Sequence, residues 1–386
     1  MKRIFLILVS IVSLFSAFGK PNSLSPLKID ITNVAVGSDP GATPEQVKAR
    51  LAGLDTDIEM RYSSEVQTYI DRYMKHGRRQ LAKIVALSAY YLPIFESALR
   101  EAGLPDELKY LPIIESGLEA GATSGRGAAG LWQFMPIAAR GYDMKISSSI
   151  DERRDPYLSS QRACRMLRDL YDQFGDWGLV LAAYNAGPGT VKRALKRAGG
   201  SNRDFWAIRH LLPAQTKKYL SLFTAMNYVM NFYGAHNIPE IKNGVSCTPD
   251  TIIITGSASL SKLAPQLNVS VQELKAMNPH FKTDMIPATA IRPCTLVVPA
   301  QNAQAYRAKN GVAPEENLIA AEEEILLAKA ELKVDREQKA DDYAYEEVPS
   351  KIFPNTYVRR KITEGATRPD RRRKRSLSRG LIELED

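Results

Sequence analysis

Hydrophobic residues recur every three to four positions through most of the chain, a spacing that predicts helices. The spacing is regular between residues 57 and 103, and Gly103 with Pro105 separates that region from the next helix. Pro112 is expected to restart this helix shortly before Glu115. Further helical patterns follow up to Tyr233 with no strand-like alternation between them. Residues 57–240 are therefore predicted to form one all-helical domain.

The pattern changes after this domain. Residues 251–255 are β-branched and short, which predicts a strand, and residues 296–299 predict another. Two short helical segments lie between them, at 260–267 and 270–277, and Ser270 with Glu273 has the spacing of a capping box. The fold class is thus mainly α, with a helical domain followed by a small α+β module at 247–300.

The two ends of the chain have the composition of an export signal and a polar tail. Residues 1–19 combine Met-Lys-Arg, a short apolar run and a small-x-small end, as a secretory signal peptide does. An uncleaved anchor is the alternative, and there is no nearby Cys to accept a lipid. Residues 20–56 are predicted to be a linker, and residues 301–386 a charged helical segment with a basic, disordered tail. The tail is either solvated or an arm that binds a polyanion.

Export changes the interpretation of the cysteines. Cys247 and Cys294 flank the module and could form a disulfide in an oxidising compartment, whereas Cys164 is expected to be a buried filler. The four histidines are scattered, so neither a metal site nor a cofactor is predicted. Lys and Arg (52) exceed Asp and Glu (43), a net charge of +9 that fits an anionic partner without identifying one.

One motif match is accidental. Residues 125–130 fit the G-x-G-x-x-G dinucleotide pattern. That pattern binds nucleotides only between a strand and a helix of a βαβ unit, which is not predicted here.

Glu115 ends an apolar helical turn and precedes a loop of small residues. An acid that protonates a glycosidic oxygen needs a raised pKa, which apolar neighbours provide. Spacing alone leaves open that Glu115 is an exposed helix end. The apolar neighbours proposed for Glu115 are Leu111, Ile113, Ile114 and Trp132. Spacing alone does not exclude four other acids, Glu96, Glu101, Glu107 and Glu119.

A set of ordered motifs distinguishes Glu115 from those acids. Residues 115–117, 122–124, 130–134 and 182–187 together resemble the soluble-lytic-transglycosylase family of peptidoglycan enzymes. The segments at 151–156 and 174–177 are most similar to its membrane-bound lytic murein transglycosylase D branch. The resemblance covers about residues 60–240 and implies a lysozyme-like helical fold.

The resemblance implies the chemistry and the site. Glu115 would be the single catalytic acid and then the base, and the residues lining the sugar sites would be Ser124, Gln133, Tyr184, Asn185 and Tyr219. The enzyme would be a carbon–oxygen lyase that cleaves the MurNAc-(β1,4)-GlcNAc bond and leaves 1,6-anhydro-MurNAc ends. Trp132 and Tyr184 could offer flat surfaces to sugar rings or be core aromatics.

The implied partner is the peptidoglycan glycan strand in the periplasm or cell envelope, with no nucleic acid expected and an association with the membrane or outer envelope left open. The alternatives are a lysozyme-type muramidase on the same scaffold and a non-catalytic wall-binding protein. Residues 267–279 resemble a degenerate LysM repeat without its usual opening turn, so the module is either a glycan binder or a structural appendix.

Overall fold

Helices follow one another from Pro44 to Phe232, as the periodicity predicts. The structure, a computed structural model, describes residues 34–199, 204–240, 249–310, 345–349 and 357–361. The mainly helical fold class is confirmed. The helices are α1 Pro44–Ala52, α2 Ser64–Asp71, α3 Arg78–Ala102, α4 Leu111–Ser116, α5 Pro136–Gly141, α6 Pro156–Phe174, α7 Trp177–Ala186, α8 Pro188–Arg197, α9 Phe205–Ile208 and α10 Thr216–Phe232.

Helix α10 lies at the centre of this arrangement. Its residues are buried on nearly every side, from Tyr219 and Phe223 to Tyr228. A helix that is apolar all round has to be enclosed by others. It packs against α2 and α7, while α3 packs against α6. The central position matters because α10 reaches several different helices with its first turn.

Helix α1 lies where the sequence predicts a linker. Thr43 and Gln46 form a reciprocal capping box at its start, and Val47 and Leu51 are buried in the domain core. Two apolar residues four positions apart are enough to dock a short, well-capped helix. Residues 44–52 are therefore part of the helical domain, and the linker prediction is wrong for them.

Helix α4 is short and both of its ends are determined by the sequence. A 3₁₀ helix at Asp106–Tyr110 leads into it, and Pro112 occupies its first turn, as predicted. Gly117 then adopts a left-handed conformation (φ 61°) that ends the helix. This stop leaves Glu115 in the last turn, directly before the loop of small residues.

The C-terminal module has the predicted order of strand, helix, helix and strand. Its elements are β1 Pro249–Ile254, β2 Ala258–Ser259, α11 Leu260–Gln266, α12 Val271–Met277, β3 Met285–Ile286, β4 Cys294–Pro299 and α13 Ala300–Asn310. Strand β1 pairs antiparallel with β4, and a shorter pair, β2 with β3, lies beside the helices. Helix α13 continues past the predicted end of the module.

A separate antiparallel pair is formed by β5, Tyr345–Pro349, and β6, Tyr357–Lys361. The predicted signal peptide and most of the predicted charged segment and basic tail lie outside the described residues. Cys247 also lies outside them, so the disulfide stays a prediction, and Cys164 is buried as expected.

None of the helices among the described residues is both long enough and apolar enough to cross a membrane.

Candidate active site

Glu115 is a buried acid that is hydrogen-bonded to a tyrosine of α10. The residue is 7% exposed, and its Oε1 accepts a hydrogen bond of 2.5 Å from the Tyr219 hydroxyl. Burial raises the pKa of Glu115 to about 7, although the Tyr219 hydrogen bond acts in the opposite direction. Burial and the nearby carboxyl raise the pKa of Tyr219 well above 10, so its hydroxyl stays protonated. At neutral pH Glu115 is thus poised to give up or take a proton.

The first turn of α10 brings two other helices to the same place. Tyr219 contacts Glu115 of α4, and Thr216, three positions earlier, donates from its hydroxyl to Asn185 Oδ1 of α7 at 2.9 Å. Asn185 is 1% exposed, and its Nδ2 group has no hydrogen-bond partner within the described part of the chain. A buried amide donor without a partner is suited to bind a polar ligand.

Tyr184 and Trp132 take different positions from those expected of sugar-binding platforms. Trp132 is fully buried, donates from Nε1 to Ser160 Oγ at 2.9 Å, and meets Phe95 edge to face at 5.3 Å. It has no face for a ligand, so the interpretation as a core aromatic holds for Trp132. Tyr184 is 8% exposed, and its hydroxyl donates to the Trp132 carbonyl at 2.7 Å, which fixes α7 against the loop.

The loop between α4 and α5 carries Ser124 and Gln133. Ser124 Oγ accepts from the Ala128 N–H at 3.0 Å and closes a tight turn. Gln133 has a left-handed backbone (φ 50°), and its Nε2 donates to the Gly130 carbonyl at 2.8 Å. Non-glycine residues in this conformation are concentrated at functional sites, where the surrounding structure holds them. The loop is not preceded by a strand, so its glycines do not form a dinucleotide site.

Arg153 supports this loop and was not identified from the sequence. It is 6% exposed, forms two 2.8 Å bonds with the Asp151 carboxylate, and donates to the carbonyls of Gly127 (2.7 Å) and Phe134 (3.1 Å). Gly130 packs so closely on it that an added Cβ would lie 1.7 Å from the Arg153 carbonyl oxygen. The signal was the pair of arginines between acids at 151–155, a segment that contributes to the family resemblance but gave no role for Arg153.

The four other acids considered from the sequence form ion pairs or hydrogen bonds with other residues. Glu96 pairs with Lys109 at 2.7 Å, and Glu119 pairs with Lys83. Glu101 accepts from a nearby serine at an exposed site. Glu107 is buried, but it accepts the Ile58 backbone N–H at 2.6 Å. Among the residues that the structure describes, no group of three or more His, Cys, Asp or Glu side chains is arranged to hold a metal ion.

Two family models match separate parts of the chain. The transglycosylase SLT domain matches residues 93–206, which include Glu115, and the LysM-like domain of lytic transglycosylase MltD matches residues 248–311. These matches overlap the predicted domain at 57–240 and the predicted module at 247–300.

Two relatives and one solved structure are similar to the chain. It is 32% identical over 220 residues to the membrane-bound lytic murein transglycosylases D of Escherichia coli K12 and O6:H1, covering 56% of this chain and 48% of each relative. The chain thus spans about half the length of these relatives. The 70 kDa soluble lytic transglycosylase Slt70 of E. coli superposes with a TM-score of 0.34 at 21% identity, over 48% of this chain and 33% of that chain. That score is too low to add to the family matches.

Proposed function

We propose that this chain, which carries a transglycosylase SLT domain and an MltD-type LysM-like domain, is a peptidoglycan lytic transglycosylase. It would cleave the MurNAc-(β1,4)-GlcNAc bond and leave 1,6-anhydro-MurNAc ends. The observation that carries the proposal is Glu115, a buried acid with a pKa of about 7 inside the matched domain.

The reaction would need only this acid. Protonated Glu115 gives its proton to the glycosidic oxygen, and the bond from that oxygen to C1 of the muramic sugar breaks. The oxygen of the muramic N-acetyl group can support the positive charge that develops at C1. The Glu115 carboxylate then takes the proton of the 6-hydroxyl, whose oxygen bonds to C1 and closes the 1,6-anhydro ring. No water is consumed, and the acid returns to its starting state.

The surroundings of Glu115 support a one-carboxyl mechanism. Retaining and inverting glycosidases use two carboxyls, roughly 5 to 10 Å apart. For Glu115, burial and the Tyr219 hydroxyl are the two influences on the pKa among the described residues, and neither involves a second acid. An internal nucleophile, the substrate's own hydroxyl, removes the need for a carboxylate that attacks C1 or activates water.

The sugar sites are proposed to follow the residues around this acid. Asn185, with its open amide donor, is suited to the carbonyl of an acetamido group, and Tyr219 holds the acid in place. Gln133 and Ser124 lie on the neighbouring loop, where Gln133 retains an amide oxygen for a second acetamido N–H. Tyr184 would contribute the edge of its ring, since it is nearly buried.

Location and partners follow from the substrate. The chain is proposed to be exported by residues 1–19 and to act in the periplasm or cell envelope on peptidoglycan strands. The relatives are named as membrane-bound, and an envelope association is proposed here on that basis. The LysM-like module is proposed to bind the same glycan.

Product analysis tests the reaction type. Purified full-length protein is incubated with purified sacculi, and the released muropeptides are measured by mass spectrometry. We expect products one water lighter than reducing-end muropeptides. Reducing-end products alone would identify a muramidase and overturn the proposal.

A Glu115→Gln variant distinguishes an enzyme from a wall-binding protein. The amide keeps the shape and the contact with Tyr219 but cannot donate the proton. We expect clearing of sacculi to be abolished while sedimentation of the protein with sacculi is unchanged. If clearing survives, Glu115 is not the catalytic acid.

A further inference from the structure

Residues 147–155, between α5 and α6, are shared by the helical domain and the LysM-like module; we call them the shared segment. Ile150 is buried, and it belongs to the hydrophobic core of the module instead of the core of its own domain. The Asp151 N–H donates to the His280 carbonyl at 2.8 Å, and the Lys282 N–H donates to the Ser149 carbonyl at 2.9 Å. The segment thus pairs with the module through one antiparallel bridge, between Ile150 and Phe281.

A buried polar contact reinforces this pairing. His280 is 1% exposed, and its Nε2 lies 3.6 Å from Asp155 Oδ2 and 3.2 Å from the Thr295 carbonyl oxygen. Asp155 in turn caps α6 by accepting the Tyr157 N–H at 2.9 Å. A buried polar group keeps its place only while its partners do, because an unpaired one is costly.

The turn that carries these contacts is itself fixed within the module. Asn278 is fully buried, and its amide exchanges two 2.7 Å hydrogen bonds with the backbone N–H and carbonyl of Val297 in β4. Residues 278–282 are thereby anchored to the central strand pair of the module.

The other end of the shared segment contacts the loop between α4 and α5, residues 117–135, which we call the catalytic loop. Arg153 donates to the carbonyls of Gly127 and Phe134, and Arg154 donates to Thr123 Oγ1 at 2.5 Å. The loop bounded by these contacts carries Ser124 and Gln133. An unbroken series of hydrogen bonds and packed side chains thus connects the module to the loop.

We propose that the LysM-like module is a positioning element of the active site: its turn at 278–282 holds the shared segment, and through Arg153 the segment holds the catalytic loop. This role rests on the proposed function and is independent of any glycan bound by the module. His280 and Phe281 are positioning residues, and so is Ile150, which pairs with Phe281.

The test weakens the pairing in the full-length chain and measures two quantities, the hydrogen exchange of the loop and the rate of turnover. Ile150→Ala removes the side chain that the shared segment places in the module core. Met285→Ala, at a module residue that is 49% exposed, is the matched control. Turnover is measured on a soluble, peptide-free glycan tetrasaccharide. Hydrogen exchange is measured at the backbone amides of Ala129 and Gly130, which donate hydrogen bonds to carbonyls within the loop.

We expect Ile150→Ala to lower kcat by about tenfold to a hundredfold, as small misplacements of catalytic groups do, with little change in KM. Exchange at Ala129 and Gly130 should become faster, while Met285→Ala changes neither quantity. If the Ile150→Ala protein does not fold, Ile150→Val should show the same two changes at reduced size.

Two results would overturn the inference. One is a folded variant at Ile150 with unchanged kcat and unchanged loop exchange. The other is a variant that loses only its sedimentation with sacculi, which would make the module a tether. Absence of 1,6-anhydro products from the unmodified chain would count against the proposed function instead, since loop exchange is measured without substrate.

Discussion

Two buried carboxyls lie eight residues apart, one on each side of the junction between the 3₁₀ helix and α4. Glu107 is 6% exposed and Glu115 is 7% exposed, and burial raises the pKa of both. They differ in their partners. The Glu107 carboxylate accepts the Ile58 backbone N–H at 2.6 Å, whereas Glu115 has the Tyr219 hydroxyl.

That difference separates Glu107, a structural acid, from Glu115, the proposed catalytic acid. A backbone N–H is a permanent donor that favours the charged form of Glu107 and needs an acceptor in return. A hydroxyl can donate or accept, so the Tyr219 hydroxyl can stay bonded to Glu115 whether that acid is protonated or not. Burial alone therefore does not distinguish a catalytic acid from a structural one. A hydrogen-bond partner that tolerates both protonation states of the acid does distinguish them.

The largest expected effect is on turnover. Glu115→Gln should lower the rate of glycan cleavage by about 10²- to 10⁴-fold, the usual contribution of a positioned acid–base group. Glu107→Gln keeps an amide oxygen for the Ile58 N–H and should leave the rate within about twofold, since it touches no reacting group. Rates are compared on the same soluble glycan. Equal losses in both variants would remove the distinction between the two acids.

The second effect is on stability as a function of pH. The pKa of Glu115 rises from 4.5 unfolded to about 7 folded, so below pH 4.5 both states are protonated and the group costs nothing. Between pH 4.5 and about 7 the unfolded state has released a proton that the folded state retains, so stability falls across this window by about 3 kcal/mol in total, at about 1.4 kcal/mol per pKa unit, and levels off above it.

Glu115→Gln removes this dependence, because the amide does not titrate in that range. Denaturant unfolding of the variant and the original chain at pH 4.5 and pH 8 measures it. The variant should gain stability relative to the original chain at pH 8 and not at pH 4.5. A constant difference at both pH values would mean that the pKa of Glu115 is not raised.

The third effect concerns the structural acid. Glu107→Ala leaves the buried Ile58 N–H without its acceptor and should lower the free energy of unfolding by about 1 to 3 kcal/mol, the cost of an unsatisfied buried donor. Glu107→Gln is the matched control and should lose much less. Denaturant unfolding at pH 7 measures the difference in stability between the two variants. Turnover per folded molecule should be unchanged in both.

Much of the fold could be predicted from the sequence, because local signals determine it. Pro112 and Gly117 bound α4, and the strand–helix–helix–strand order of the module follows from short β-branched and capped segments. What local patterns could not supply are contacts between distant residues. The Glu107–Ile58 bond spans 49 positions, and it alone explains why a buried acid so near to Glu115 is structural.

The same limit applies at the site. Glu115 was separated from four other acids by a family resemblance and not by its spacing. Trp132 has the aromatic side chain expected of a sugar platform, and only the structure shows that it is fully buried against Phe95 and bonded to Ser160. Arg153 went unnoticed because the two carbonyls to which it donates, of Gly127 and Phe134, lie 26 and 19 positions away in the sequence.

The smallest effect concerns the hydroxyl that distinguishes the two acids. Tyr219→Phe removes the hydrogen bond that lowers the pKa of Glu115, so that pKa should rise further above 7. The acid must be protonated to start the reaction, so the alkaline limb of the pH–rate profile should move upward, by about one pH unit for a bond of about 1.4 kcal/mol. Tyr184→Phe is the matched control, because its hydroxyl bonds to the Trp132 carbonyl and leaves the limb in place. A downward shift of the alkaline limb in Tyr219→Phe would mean that the hydroxyl stabilises protonated Glu115 instead. The Tyr219 hydroxyl would then not explain the difference between Glu115 and Glu107.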